Sequence, residues 1–119
     1  MITRTAIYEG SVEPGQEDEF FRDVENRLDP IWREFPNVQA VRVQRVTNKD
    51  QDAPQIAMIM EMDFPSLDAM HESLASPIRE TSHALTLEVL KPFHGRFYHL
   101  VTTSTSFTAD ATVEIPTAD

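Results

Sequence analysis

Residues 16–35 read QEDEFFRDVENRLDPIWREF, and this stretch decides the fold. Its apolar positions are Phe20, Phe21, Val24, Leu28, Ile31, Trp32 and Phe35. Steps of three and four lay them along one stripe, the pattern of a helix that buries one side against a sheet. Glu17, Asp18 and Glu19 fill the first turn, where the aligned peptide dipoles favour negative charge. Pro30 lies inside the pattern, yet the stripe keeps its phase across it. The reading is therefore one helix with a kink, Asp29 serving as a local cap.

Outward from this helix the chain alternates strand and helix signals. Residues 3–12 are rich in β-branched and aromatic types and predict a strand, which Glu13-Pro14-Gly15 breaks. Pro36-Asn37 closes the helix. Residues 38–46 predict a second strand, 47–54 a polar hairpin loop and 55–64 a third strand. In the third strand Ile56, Met58, Met60, Met62 and Phe64 share one face, and Ala57, Ile59, Glu61 and Asp63 the other. Ser66 is the expected cap of a second helix whose inner stripe would be Leu67, Met70, His71 and Leu74. Ser76-Pro77 interrupts it, and a new helical segment is expected to run to about Leu90. Residues 93–103 predict a fourth strand, with His94, Arg96, Tyr98 and Leu100 facing one way and Phe93, Phe97, His99 and Val101 the other.

This order, βαββαβ, implies an α+β ferredoxin-like fold with an antiparallel four-stranded sheet and both helices on one face. Residues 1–103 would form the domain, and residues 104–119 an acidic flexible tail or dimer arm. Every strand carries apolar residues in both alternating sets. The helix-free face is thus expected to need a cover, most simply a second copy in a homodimer.

Composition narrows the function. With 119 residues one domain is expected. Twenty acids against ten bases, a formal charge of -10, exclude the basic footprint of a nucleic-acid binder and argue against an anionic membrane partner. The absence of cysteine excludes disulfides, thiolate metal sites and cysteine nucleophiles, and fits a reducing, cytoplasmic setting. Gly10, Gly15 and Gly95 lie in separate elements, so no phosphate-cradling loop exists. His94 and His99 are five apart on one strand, point to opposite faces and are not expected to share a metal.

Three stretches resemble a known superfamily. Residues 28–38, LDPIWREFPNV, are similar to the segment of EthD-like proteins that carries a histidine, any residue, proline and an aliphatic residue, then a basic stretch and a Pro-Gly turn. Here Leu28 stands at the histidine position and Asn37 at the glycine position. Residues 64–70, FPSLDAM, and 74–77, LASP, look like the third-strand exit and interrupted second helix of the dimeric α+β barrel superfamily. The resemblance implies a small-molecule-binding dimer. Its relatives include cofactor-free monooxygenases, isomerases, cyclases, haem-degrading enzymes and accessory proteins in the degradation of ethers or aromatics.

The same resemblance implies a ligand site between sheet and helices. Arg79 falls where some cyclases of the superfamily carry a catalytic histidine, and an arginine there could clamp a carboxylate or enolate oxygen. Tyr8, Glu61 and His71 are the candidate acids and bases, set against ordinary roles in cross-strand pairing or a buried core histidine. For Glu61 and Asp63 those pairing partners would be Arg42, Arg45 or Arg4. His83, Tyr98, Met58, Met60 and Trp32 are the candidate substrate contacts. His83 is spaced like the axial ligand of haem-degrading relatives, but Ser73 stands where their tryptophan lies and strand one lacks their asparagine. No haem, flavin or metal is therefore expected. The functional expectation is a cofactor-free isomerase, cyclase or decarboxylase, or an accessory protein, acting on an apolar or aromatic metabolite. The alternatives are a non-catalytic dimeric binding module or a haem-binding monooxygenase-like protein.

Overall fold

The structure, a computed structural model, describes residues 1–109. The element order is β1 (Ile2–Val12), α1 (Glu17–Asp23), a π-helical turn (Val24–Leu28), α2 (Asp29–Trp32), β2 (Ala40–Arg45), β3 (Ile56–Phe64), α3 (Leu67–Leu74), α4 (Ile78–Val89) and β4 (Phe93–Thr103). The strands form one antiparallel sheet in the order β2-β3-β1-β4. This is the expected α+β ferredoxin-like arrangement. Residues 104–109 follow β4 as exposed chain without regular structure, and the rest of the expected tail lies outside the described residues.

The stripe read from residues 16–35 packs as expected. Phe20, Val24 and Leu28 are almost completely buried, and Trp32 and Phe35 nearly so. They close over Met58, Met60, Met62 and Phe64 of β3 and Ala6 and Tyr8 of β1 to form the core. Pro30 is accommodated differently from the expectation. Proline donates no hydrogen bond and its ring presses on the carbonyl four residues back, so the backbone widens one turn earlier. There the Asp29 amide donates to the Val24 carbonyl, five residues back. Asp29 is itself helical and caps nothing; its carboxylate pairs with Arg33 at 3.0 Å.

After α2 the chain turns at Asn37, whose φ of 66° lies in the left-handed region that asparagine tolerates better than most residues. Its side-chain amide donates to the Ala69 carbonyl at 3.1 Å and ties this turn to α3. Ser66 caps α3 as expected, its Oγ accepting from the Ala69 amide at 3.1 Å.

The helix-free face departs from expectation. It is not broadly apolar. Arg42, Glu61 and Asp63 form an ion-pair cluster on it, Arg42 reaching Glu61 at 3.0 Å and Asp63 at 2.6 Å. Thr3 donates to Asp63 at 2.7 Å. Glu9 accepts from Tyr98 and pairs with Arg96 on the same face. Apolar residues there include Ile7, Ile59 and Leu100 at the centre, with Ala57 beside them and Ala40 near the edge.

Candidate functional site

The helical layer and the sheet enclose a cleft of about 100 Å³. Arg4 and Tyr8 of β1, Met60 and Met62 of β3, and Phe97 and His99 of β4 form its floor. Trp32 and Phe35 close one side, and Leu74, Arg79, Ser82, His83 and Thr86 the other. Strand alternation explains the floor. Tyr8 pairs with Phe97, Ala6 with His99 and Arg4 with Val101, so these side chains leave the sheet on the helix side. The Tyr8 ring stacks on Phe97 with centroids 5.3 Å apart, and His99 meets the Phe97 ring edge-on at 5.9 Å.

The charges of the cleft are one-sided. Among the described residues no carboxylate lines it, and neither Arg4 nor Arg79 has an ion-pair partner. Burial, with Arg79 nearby, pulls the Arg4 guanidinium down to about 10, which still leaves it charged at neutral pH. Burial pushes the Tyr8 phenol up to about 12, against the opposing pull of Arg4. Partial burial first, then the positive charges of Arg4 and Arg79, hold the His99 imidazole down to about 4. At neutral pH the cleft therefore offers two guanidinium forks, a phenol proton and a neutral imidazole. It is a donor-rich pocket suited to a negatively charged oxygen.

Of the residues singled out in the sequence, Arg79, Tyr8, His83, Trp32 and Met60 line this cleft together. Four others do not. Glu61 points to the helix-free face, where Arg42 and Gln44 hold it at 3.0 and 3.1 Å. Tyr98 is on that face too, bonded to Glu9. Met58 is fully buried core away from the cleft. His71 is exposed: α3 turns Met70 and Leu74 inward as expected, but Ser73 joins them where Leu67 and His71 were expected. Cross-strand pairing of Glu61 and Asp63 falls to Arg42 alone. Arg45 reaches Asp18 at 3.1 Å, and Arg4 is on the opposite side of the sheet.

Arg4 and His99 were missed as site residues. The signal was alternation alone: Arg4 shares a face with Tyr8, and His99 with Phe97. Leu28, at the place of the EthD-like histidine, is core and does not reach the cleft. Among the described residues no group of three or more histidine or carboxylate side chains converges as a metal site. A second, wider depression of about 180 Å³ lies near Phe21 and Arg45, but Arg45 is engaged there by Asp18 and stacked 4.6 Å over the Phe21 ring.

No protein-family profile matches the sequence, and no curated protein is significantly similar to it. Solved structures match in fold. An EthD (ethyl tert-butyl ether degradation) family protein from Bacillus halodurans superposes with a TM-score of 0.67 at 15 % identity, over 88 % of this chain and 99 % of that one. A monooxygenase from Streptomyces coelicolor, solved with the ligand nanaomycin D, gives 0.64 at 11 % identity over 92 % of each chain. A dimeric ferredoxin-like protein of unknown function from Bacteroides fragilis gives 0.60 at 9 % identity, over 85 % of this chain and 93 % of that one. The chain thus shares the ferredoxin-like fold of these proteins.

Proposed function

We propose that this is an EthD-like small-molecule-binding protein whose ligand, a small apolar or aromatic metabolite, enters the cleft between helices and sheet. The observation that carries this reading is the convergence of Arg4, Arg79 and the Tyr8 phenol on a pocket walled by Trp32, Phe35 and Phe97. Such a mixture of apolar wall and a few directed polar groups is the usual make-up of a ligand site.

The chemistry it supports is cofactor-free proton transfer: isomerisation, cyclisation or decarboxylation. Arg79 and Arg4 would stabilise the oxygen of an enolate as charge develops, and the Tyr8 hydroxyl would donate to the same oxygen. The proton must move through an imidazole, His83 or His99, since Glu61 and His71 lie elsewhere. A second reading, binding without turnover, is favoured by one feature: among the described residues no carboxylate accepts a hydrogen bond from either imidazole to orient it. Deuterium uptake next to the carbonyl of an aryl ketone in heavy water separates the two. Uptake above background that is lost in Arg79→Gln supports catalysis; saturable binding without uptake supports the binding module.

A second copy over the helix-free face belongs to the same reading. It is supported by the central Ile7, Ile59 and Leu100 and by the dimeric neighbour of the same fold. The neighbours' fold and the residue chemistry suit an aqueous protein, and no described helix is long and apolar enough to cross a membrane.

A further inference from the structure

The two cleft arginines stand out against the charge of the whole chain. Acids outnumber bases twenty to ten. Five of the ten bases, Arg27, Arg33, Arg42, Arg45 and Arg96, pair with carboxylates on the surface or the helix-free face. Of the five without such a pair among the described residues, Arg22, Lys49 and Lys91 lie apart from any cleft, and Arg4 and Arg79 share one. Arg4 is half-buried without an ion-pair partner, which is costly, and Arg79, exposed on α4 at the rim of the cleft, sets a second positive charge beside it. In so acidic a chain, a concave site that collects two cations and no described carboxylate is built to receive an anion from outside. A neutral ligand would leave both charges unbalanced.

The volume and walls define the rest of that anion. A cavity of roughly 150 Å³ accommodates benzene. The cleft here, about 100 Å³, is smaller than that but open at its mouth, so a single ring can lodge with part of its edge at the opening. Trp32, Phe35 and Phe97 supply flat apolar surface for that ring. The planar fork of arginine matches the two oxygens of a carboxylate, and two forks can hold one carboxylate from both sides.

We propose that Arg4 and Arg79 together form a carboxylate clamp, and that the ligand of the cleft is a single-ring aromatic acid. This rests on the cleft being the ligand site, and makes Arg4 a specificity-determining residue. The neutral His99 and the phenol of Tyr8 complete the donor set around the anion.

The test uses Trp32, the sole tryptophan, as reporter. Benzoate and its neutral isostere benzamide are titrated into the full chain while indole emission is followed. Benzoate is expected to change the emission saturably, with benzamide at least tenfold weaker. Arg4→Gln and Arg79→Gln are each expected to weaken benzoate at least tenfold and benzamide by a clearly smaller factor. Salt gives a measurement that needs no variant: benzoate binding should weaken clearly as sodium chloride rises to about 1 M. Benzamide binding as tightly as benzoate, or benzoate binding indifferent to both arginines and salt, overturns the clamp while the cleft reading survives. Emission unmoved by either compound up to about 10 mM overturns the clamp and the cleft reading together.

Discussion

Replacing Asp63 by asparagine tests the polar cluster that the structure sets on the helix-free face. The Asp63 side chain is 7 % exposed. Its carboxylate accepts from both terminal nitrogens of Arg42, at 2.6 and 2.8 Å, and from the Thr3 hydroxyl at 2.7 Å. Asparagine keeps the shape, removes the charge and points an NH2 group at one of the three donors. A hydrogen bond to a charged partner contributes roughly 1.5–3 kcal/mol, and breaking a fully buried pair costs roughly 3–5 kcal/mol. Arg42 is 42 % exposed and keeps Glu61 at 3.0 Å, so it can rehydrate in part. We therefore expect Asp63→Asn to cost about 2–3 kcal/mol, discounted from the buried-pair figure. For a domain of about 100 residues this lowers Tm by about 10–20 °C.

The pH dependence has a definite sign. Arg42, and to a lesser degree Thr3, hold the Asp63 carboxyl below the usual carboxylate range. The unfolded chain thus binds the Asp63 proton more readily than the native one. The stability it contributes is complete above the ordinary carboxylate pKa of about 4 and is lost as pH falls through the lower native value. Urea and thermal unfolding of both proteins at pH 7, and again below pH 4, give the two gaps. A gap under about 0.5 kcal/mol at pH 7, or one that does not shrink in acid, would refute the reasoning.

Trp32→Ala should cost about 3–5 kcal/mol, the range for a large core aromatic, and native emission should be blue-shifted; emission like that of free indole would contradict a nearly buried ring. Gly10→Ala should destabilise by about 3 kcal/mol or more, because Gly10 has φ 146° and a methyl group there would run into the His94 carbonyl and Gly95 of the neighbouring strand; circular dichroism melts check it. NMR titration should show His99 taking its proton near pH 4, and Arg4→Gln should move that midpoint upward by removing a positive neighbour; an unmoved midpoint would exclude coupling between the two. Sedimentation at micromolar concentration should show two copies, and Ile59→Arg should shift the balance to monomer; a wild-type monomer throughout would leave the helix-free face without a partner copy.

The sequence by itself determined what depends on neighbours along the chain. The stripe from Phe20 to Phe35, the Ser66 cap, the break at Ser76-Pro77 and the limits of β4 are all local, because helix and strand periodicity and capping chemistry act over a few residues. The α+β order followed from them. Phase failed where an element was short. The eight residues of α3 span about two turns, so a stripe centred on Met70 and Leu74 can extend to Leu67 and His71 or to Ser73, and packing on the sheet chose Ser73. The widened turn before Pro30 also needed tertiary structure, since the sequence shows a proline in the stripe but not how the turn before it relaxes while residues on both sides pack into the core.

The site was legible in part for the same reason. Tyr8, Trp32, Met60, Arg79 and His83 come from four separate elements, and what joins them is strand order and crossover, not spacing. Glu61 and Arg4 show the limit most clearly. Alternation separates two faces within each strand, and the apolar row from Met58 to Phe64 marks the face of β3 that the helices cover. Which set of β1 shares that face is fixed only by the pairing of β1 with β3, and this took Arg4 into the cleft and left Glu61 to Arg42.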